Sequence, residues 1–254
     1  LSTNSISKAL HEFKDFRKAI ESLENLEEKS SLDITGLKGA LQGYFIRDYL
    51  FSLNEKSPEK VNKLLVVVPA EREALSLKGD LETVFPEAEV NILLGWGTLI
   101  YSPVTPNSLI FGKRAGVFSR MADADSSKKS FHPEIFIVPL RGFLTPTPSP
   151  EYIKDIGFSF KKGERIDTVS VSEKLSEIGY TRVPRVTVRG EFSLRGEVLD
   201  IFLPEEELAF RIIFDFDKIE QIKTFDVINQ NTVSSLENVK IYPMKEVIWN
   251  ENLI

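Results

Sequence analysis

From Leu208 to Phe216 the sequence alternates with period two. Leu208, Phe210, Ile212, Phe214 and Phe216 fall on one side of an extended chain, and Ala209, Arg211, Ile213 and Asp215 on the other. Five large apolar residues on one side predict a half-buried antiparallel strand, because a slip of one residue would turn all five into water. Upstream, Val198 to Leu203 is almost wholly apolar, and Arg189-Gly190-Glu191-Phe192-Ser193-Leu194-Arg195-Gly196 is a glycine-punctuated hairpin signal. With 219–225 and 239–242, these runs predict a mainly antiparallel sheet. Its polar side carries one kind of cation: Arg182, Arg185, Arg189, Arg195 and Arg211, with no lysine between Lys174 and Lys218. A guanidinium presents a planar fork that pairs bidentately with carboxylates, so such a surface suits a protein partner. Pairing with local acids such as Glu191 and Glu197 is the alternative use of the same side chains.

The N-terminal part has a different grammar. Residues 63–69, 90–94 and 134–140 are continuous apolar runs, as in buried parallel strands, and helical patterns occupy 70–84 and 109–122 between them. This alternation predicts a parallel α/β domain. An amphipathic helix is expected over 5–28, then a short strand at 32–35, a turn at Gly36 and a helix carrying Leu37, Leu41, Phe45, Tyr49 and Leu53. Strand, glycine turn and helix is where a phosphate loop sits. Here Ile34-Thr35-Gly36-Leu37-Lys38-Gly39-Ala40-Leu41 lacks the first glycine of that motif and the Ser/Thr after the lysine. No nucleotide is therefore expected on Gly36, Lys38 and Gly39. No cofactor or metal is expected in this region, and no acid–base–nucleophile constellation points to an enzyme. Trp96 and Tyr101, in a glycine- and proline-rich loop, are expected to pack rather than to stack on bases.

Three prolines in 143–150 mark a linker, which divides the chain into 1–150 and 151–248, with 249–254 opening a further segment. A short helix or turn is expected at 151–156 and a short helix at 172–178, capped by Ser170 or Ser172. The chain begins at Leu1 and reads as an excerpt of a longer protein. It has no cysteine and only His11 and His132 as imidazoles, and its net charge is −6. Residues 1–150 carry 18 Lys/Arg against 19 Asp/Glu, and 151–254 carry 14 against 19. Neither half has the basic excess of a duplex-DNA reader. No apolar run reaches the roughly 18 residues of a membrane span, and no leader is evident, so a cytoplasmic protein is expected.

The spacing Gly-Tyr-x-Arg, then Gly-x-Phe-x-x-Arg-Gly-x-x-Leu-Asp-Ile-Phe, then Phe-Arg-Ile-x-Phe-x-x-Asp-x-Ile-Glu-x-Ile-x-x-Phe-Asp resembles domain 2 of the repair protein UvrB. It is equally similar to the matching N-terminal module of the transcription-repair coupling factor. The resemblance spans about 50 residues strongly and extends weakly back to about residue 32. It implies a RecA-like first domain and a second domain that docks UvrA through Arg182, Arg195 and Arg211, with Ile213 and Phe214 counted in the same surface. Ser193 stands where UvrB has another arginine, and Ile213 where it has a glutamate. Phe214 matches a phenylalanine near that interface, although alternation places it on the buried side.

The coupling factor keeps this fold without the ATPase motif. No long aromatic hairpin of the UvrB kind occurs before residue 150, so the resemblance favours the coupling factor, with UvrB or a nucleotide-binding repair ATPase as the alternative. It implies a non-catalytic adaptor that recruits UvrA to stalled RNA polymerase. ATP and magnesium would be used only by a motor beyond Ile254. Downstream domains of the same chain would mask the UvrA surface, and RNA polymerase and DNA would be met only through the parent protein.

Overall fold

The computed structural model describes residues 3–56, 63–98, 103, 107–122 and 132–246. Tyr101 and the segment 249–254 lie outside the described residues. Parallel and antiparallel sheets are mixed with helices, and the chain divides into two compact units. Leu1–Leu93 with Asp125–Leu144 form the first, and Leu94–Ala124 with Thr145–Ile254 the second. One crossing between the units lies near residue 144. Residues 94–124, expected in the first domain, are grouped with the second.

The first unit holds α1 (Thr3–Glu12), α2 (Lys14–Glu24), α3 (Leu41–Lys56), β1 (Lys63–Val68), α4 (Glu71–Val84), β2 (Glu89–Ile92), β3 (Glu134–Pro139) and α6 (Leu140–Phe143). Its sheet is parallel, in the order β1-β3-β2. The central strand β3 is buried from Ile135 to Pro139. Leu77, Leu81, Val84 and Phe85 of α4 and its end pack on it together with Leu50 of α3. At the sheet edge, β1 half-buries alternate residues, Leu64, Val66 and Val68, and Leu65 and Val67 are exposed. An unbroken apolar run therefore did not mean burial on both faces. The helix expected over 5–28 is two helices, broken at Phe13, whose backbone is extended. Residues 32–35 form no strand, and α3 begins only at Leu41.

The second unit holds α5 (Ser108–Ala122), α7 (Pro150–Ile156), β4 (Phe158–Lys161), α8 (Thr168–Glu177), β5 (Thr181–Arg182), β6 (Glu191–Arg195), β7 (Val198–Ile201), β8 (Ala209–Asp215), β9 (Lys218–Phe225), β10 (Thr232–Leu236) and β11 (Asn238–Ile241). Ser149 caps α7, with Pro150 in its first turn. Asp167, not Ser170 or Ser172, caps α8, its carboxylate accepting from the backbone N–H groups of Val169 and Ser170. Six strands form one sheet in the order β10-β9-β8-β7-β6-β5, antiparallel except for β5 beside β6, and β11 pairs with β4.

Phe192, Leu199, Ile201, Phe210, Ile212, Phe214 and Ile222 fill the core beneath the large sheet, with Leu175 of α8 and Phe160 of β4. The alternation of β8 holds through Phe214 and then fails. A bulge interrupts the β8–β9 register after Ile213, and Phe216 sits in the turn, 84% exposed.

Helix α5 belongs to this unit through a buried clasp. Arg114, fully buried on α5, donates to the Glu246 carboxylate and to the Leu94 carbonyl, and Trp96 Nε1 donates to Glu246 Oε2 at 3.3 Å. Trp96 also packs edge-on against Phe111. A Cβ at Gly112 would come within 2.8 Å of Met244 Sδ, so α5 reaches this depth only with glycine there.

Candidate protein-docking surface

The outer side of the six-stranded sheet is built by register. Across three strand pairs Ser193 faces Asp200, Asp200 faces Arg211, and Arg211 faces Lys223. Side chains directly opposite on one side of a sheet touch. Arg211 accordingly forks onto Asp200, with Nε to Oδ1 at 2.7 Å and a terminal nitrogen to Oδ2 at 2.9 Å. It also donates to Gln230 Oε1 at 3.0 Å and stacks 4.3 Å from the centroid of Phe225. The hydrogen bond to Asp200 raises the Arg211 pKa above its ordinary value, against the effect of burial. Asp200 is 2% exposed and Ser193 1%, the Ser193 hydroxyl donating to the Pro184 carbonyl at 3.0 Å.

The next row along the strands differs in character. Arg195 faces Val198, Val198 faces Ile213, and Ile213 faces Gln221. Val198, Ile213 and Gln221 are half-buried, while the Arg195 side chain is 55% exposed and touches Asp200 only at 3.4 Å. Gly196, at φ +56, closes the β6–β7 turn beside it, a conformation that disfavours a side chain. Arg182 and Arg185 are exposed and meet no acid among the described residues. Arg189 donates to the Glu206 carbonyl at 2.9 Å and lies over Phe202.

By exposure the five arginines divide into a solvent-exposed set, Arg182, Arg185 and Arg195, and an engaged pair, Arg189 and Arg211; within the exposed set Arg182 stands beside Phe192 on the edge strand and Arg185 lies in the loop that follows it. Phe214 is buried at 2% exposure and offers no surface to a partner. Glu191 does not meet the arginines. Its carboxylate accepts from the backbone N–H groups of Thr187 and Val188 at 2.8 and 2.9 Å and from the Thr187 hydroxyl at 3.1 Å. Burial acts to raise the Glu191 pKa, but these donors outweigh it and the pKa is lowered. This cap shapes the 183–190 loop, under which Val186, Phe202, Ala209 and Phe225 form a small second core on the outer side of the sheet. Alternation alone missed that cover, because it is supplied by a loop.

In the first unit, Gly36 and Gly39 both have positive φ, +92° and +56°. They lie in the loop before α3, with Lys38 exposed between them. Beside this loop is a cavity of about 340 Å³ whose lining includes Leu10, Phe16, Ile34, Leu37, Leu41 and Phe45. Such an apolar wall offers a phosphate no compensation for lost water. Among the described residues no group of three or more His, Asp or Glu is placed to hold a metal, and no helix is long and apolar enough to cross a membrane.

Comparison with known proteins supplies a context for the arginine surface. Residues 158–247 match the family model of the UvrB interaction domain. The chain is 28% identical, over 91% of its length, to the transcription-repair-coupling factor of Borreliella burgdorferi, of which it covers 19%. It is 29% identical over 77% of its length to that of Haemophilus influenzae, covering 16%. To UvrABC system protein B of Kosmotoga olearia it is 28% identical over 75% of its length, covering 29%. The chain therefore spans less than a third of each of these curated relatives.

Proposed function

We propose that this chain, which carries a UvrB interaction domain over residues 158–247 and is a homologue of transcription-repair-coupling factors and of UvrB, is a non-catalytic adaptor in excision repair. Its second unit docks UvrA, and the parent protein brings UvrA to a stalled RNA polymerase. One observation carries this reading: on the matched domain, Arg182, Arg185 and Arg195 are exposed, and of the three only Arg195 meets an acid among the described residues, Asp200 at 3.4 Å. Exposed guanidinium forks are suited to carboxylates on another protein, and arginine is enriched among binding hot spots.

The first unit is read as a RecA-like scaffold without ATP hydrolysis. The apolar cavity beside Gly36 and Lys38, and the absence of a hydroxyl after Lys38, support that reading. ATP and magnesium then serve only a motor elsewhere in the parent protein. RNA polymerase and DNA are met through that protein, and its other domains cover the arginine surface at rest. A cytoplasmic location follows from the same role.

The test is calorimetric titration of UvrA with the chain and with Arg182→Ala and Arg195→Ala, beside thermal melts. Each change is expected to weaken binding about tenfold or more, at roughly 1.4 kcal/mol per decade, with melting unchanged. Full affinity in both variants would remove the arginine surface from the interface.

A further inference from the structure

Phe216 combines two unfavourable features. It is 84% exposed, so its ring gains nothing from burial, and its φ is +54°, a left-handed conformation that is an outlier for a bulky residue. The surroundings hold it there. Ile166 N donates to the Asp217 carbonyl at 2.7 Å, Gly163 N to the Ile219 carbonyl at 2.8 Å, and Arg165 pairs with Asp217 at 3.3 Å. The tip of the β8–β9 hairpin is thus a braced knob, with the aromatic ring flanked by Asp215 and Asp217. A strained residue that its surroundings keep in place points to a use. Its position indicates which one. The β6–β7 tip at Gly196–Glu197 and the β8–β9 tip lie at the same end of the sheet, joined by Phe214 N donating to the Glu197 carbonyl at 2.8 Å. Arg195 stands at that end too.

We propose that Phe216 is the aromatic anchor of the docking surface, inserting into an apolar pocket on the partner protein whose rim carries lysine or arginine to meet Asp215. This rests on the docking reading above, and UvrA is its probe. An aromatic ring with few rotatable bonds, held rigidly, forms contact area at low entropic cost. Asp217 is engaged by Arg165, and the exposed Asp215 beside the ring favours a cationic rim and disfavours a nucleic-acid backbone.

The experiment titrates UvrA with Phe216→Gly, Asp215→Lys and Arg195→Ala. Phe216→Gly is expected to melt at the same temperature or higher, since glycine accepts φ +54, yet to bind UvrA about tenfold or more weakly. Asp215→Lys is expected to slow association, most at low ionic strength. Full affinity in Phe216→Gly with lost affinity in Arg195→Ala overturns the anchor and leaves the docking reading standing. Full affinity in both overturns the anchor and removes Arg195 from the interface, and no binding by the unaltered chain overturns both readings. Retention of single-stranded DNA that depends on Phe216 overturns the protein pocket in favour of base stacking.

Discussion

Arg211→Ala should cost the second unit much of its stability. The guanidinium makes two short bonds to Asp200, one to Gln230, and a stack on Phe225. Removing it strands a carboxylate whose side chain is 3% exposed, with only the 3.4 Å contact to Arg195 left. Breaking a fully buried pair by removing one partner costs about 3–5 kcal/mol. Arg211 retains 21% side-chain exposure, so water can partly replace it, and about 2–4 kcal/mol is the working figure. For a domain of this size that is roughly 8–16 °C in Tm, taking about 4 °C per kcal/mol.

Thermal and urea unfolding followed by circular dichroism would measure it. Removing both charges, as in Asp200→Leu with Arg211→Met, should recover most of the loss, because the penalty lies in the unpaired carboxylate and not in the missing cation. Arg195→Ala should move Tm by no more than about 2 °C, as expected for an exposed pair worth about 0.5 kcal/mol or less. A shift that small in Arg211→Ala would refute the claim that Asp200 depends on it.

The chain should neither bind ATP at millimolar concentration nor hydrolyse it, and magnesium-dependent turnover by a clean preparation would overturn the reading of the loop at Gly36–Gly39. Glu191→Gln should destabilise the second unit by about 1–2 kcal/mol near neutral pH, since a neutral amide is the weaker acceptor for three donors. The Glu191 pKa is lowered on folding, so the wild-type advantage is fully present above the unfolded carboxylate value of about 4.3 and is lost as pH falls through the lower folded value. Melts of both proteins across acid pH should therefore converge, and a constant gap would argue against the carboxylate cap. In a double-mutant cycle, Arg195→Ala should cost less UvrA affinity in an Arg211→Ala background than alone; additive losses would mean that Asp200 does not link the two arginines.

The sequence disclosed patterns with a short period and missed what depends on distant chain. Strands β1, β2, β3 and β8 are legible because four to seven consecutive residues carry their signal. Phe216 was misassigned because alternation continues through a turn on paper, whereas a bulge after Ile213 and a left-handed backbone end it in space. The helix break at Phe13 was invisible because both pieces share one apolar stripe. β1 read as buried because an apolar run does not say whether a layer exists to cover its second face. The partners of Arg114 and Arg211 lie 132 and 11 residues away, and only the assembled fold brings them together.

The sequence offered five arginines and no means of dividing them. The division follows from register and the placement of one acid. Asp200 lies on the third residue of β7, so it faces Arg211 directly and Arg195 only diagonally. Direct opposition gives the bidentate geometry and absorbs Arg211 into the fold, while the diagonal contact leaves most of Arg195 in water. The same carboxylate that commits one arginine to stability therefore holds the other loosely, oriented but not consumed. Losing Arg211 would leave Asp200 to claim Arg195 fully and draw it from the surface. Reduced docking by an Arg211 variant is then expected even if Arg211 never touches the partner.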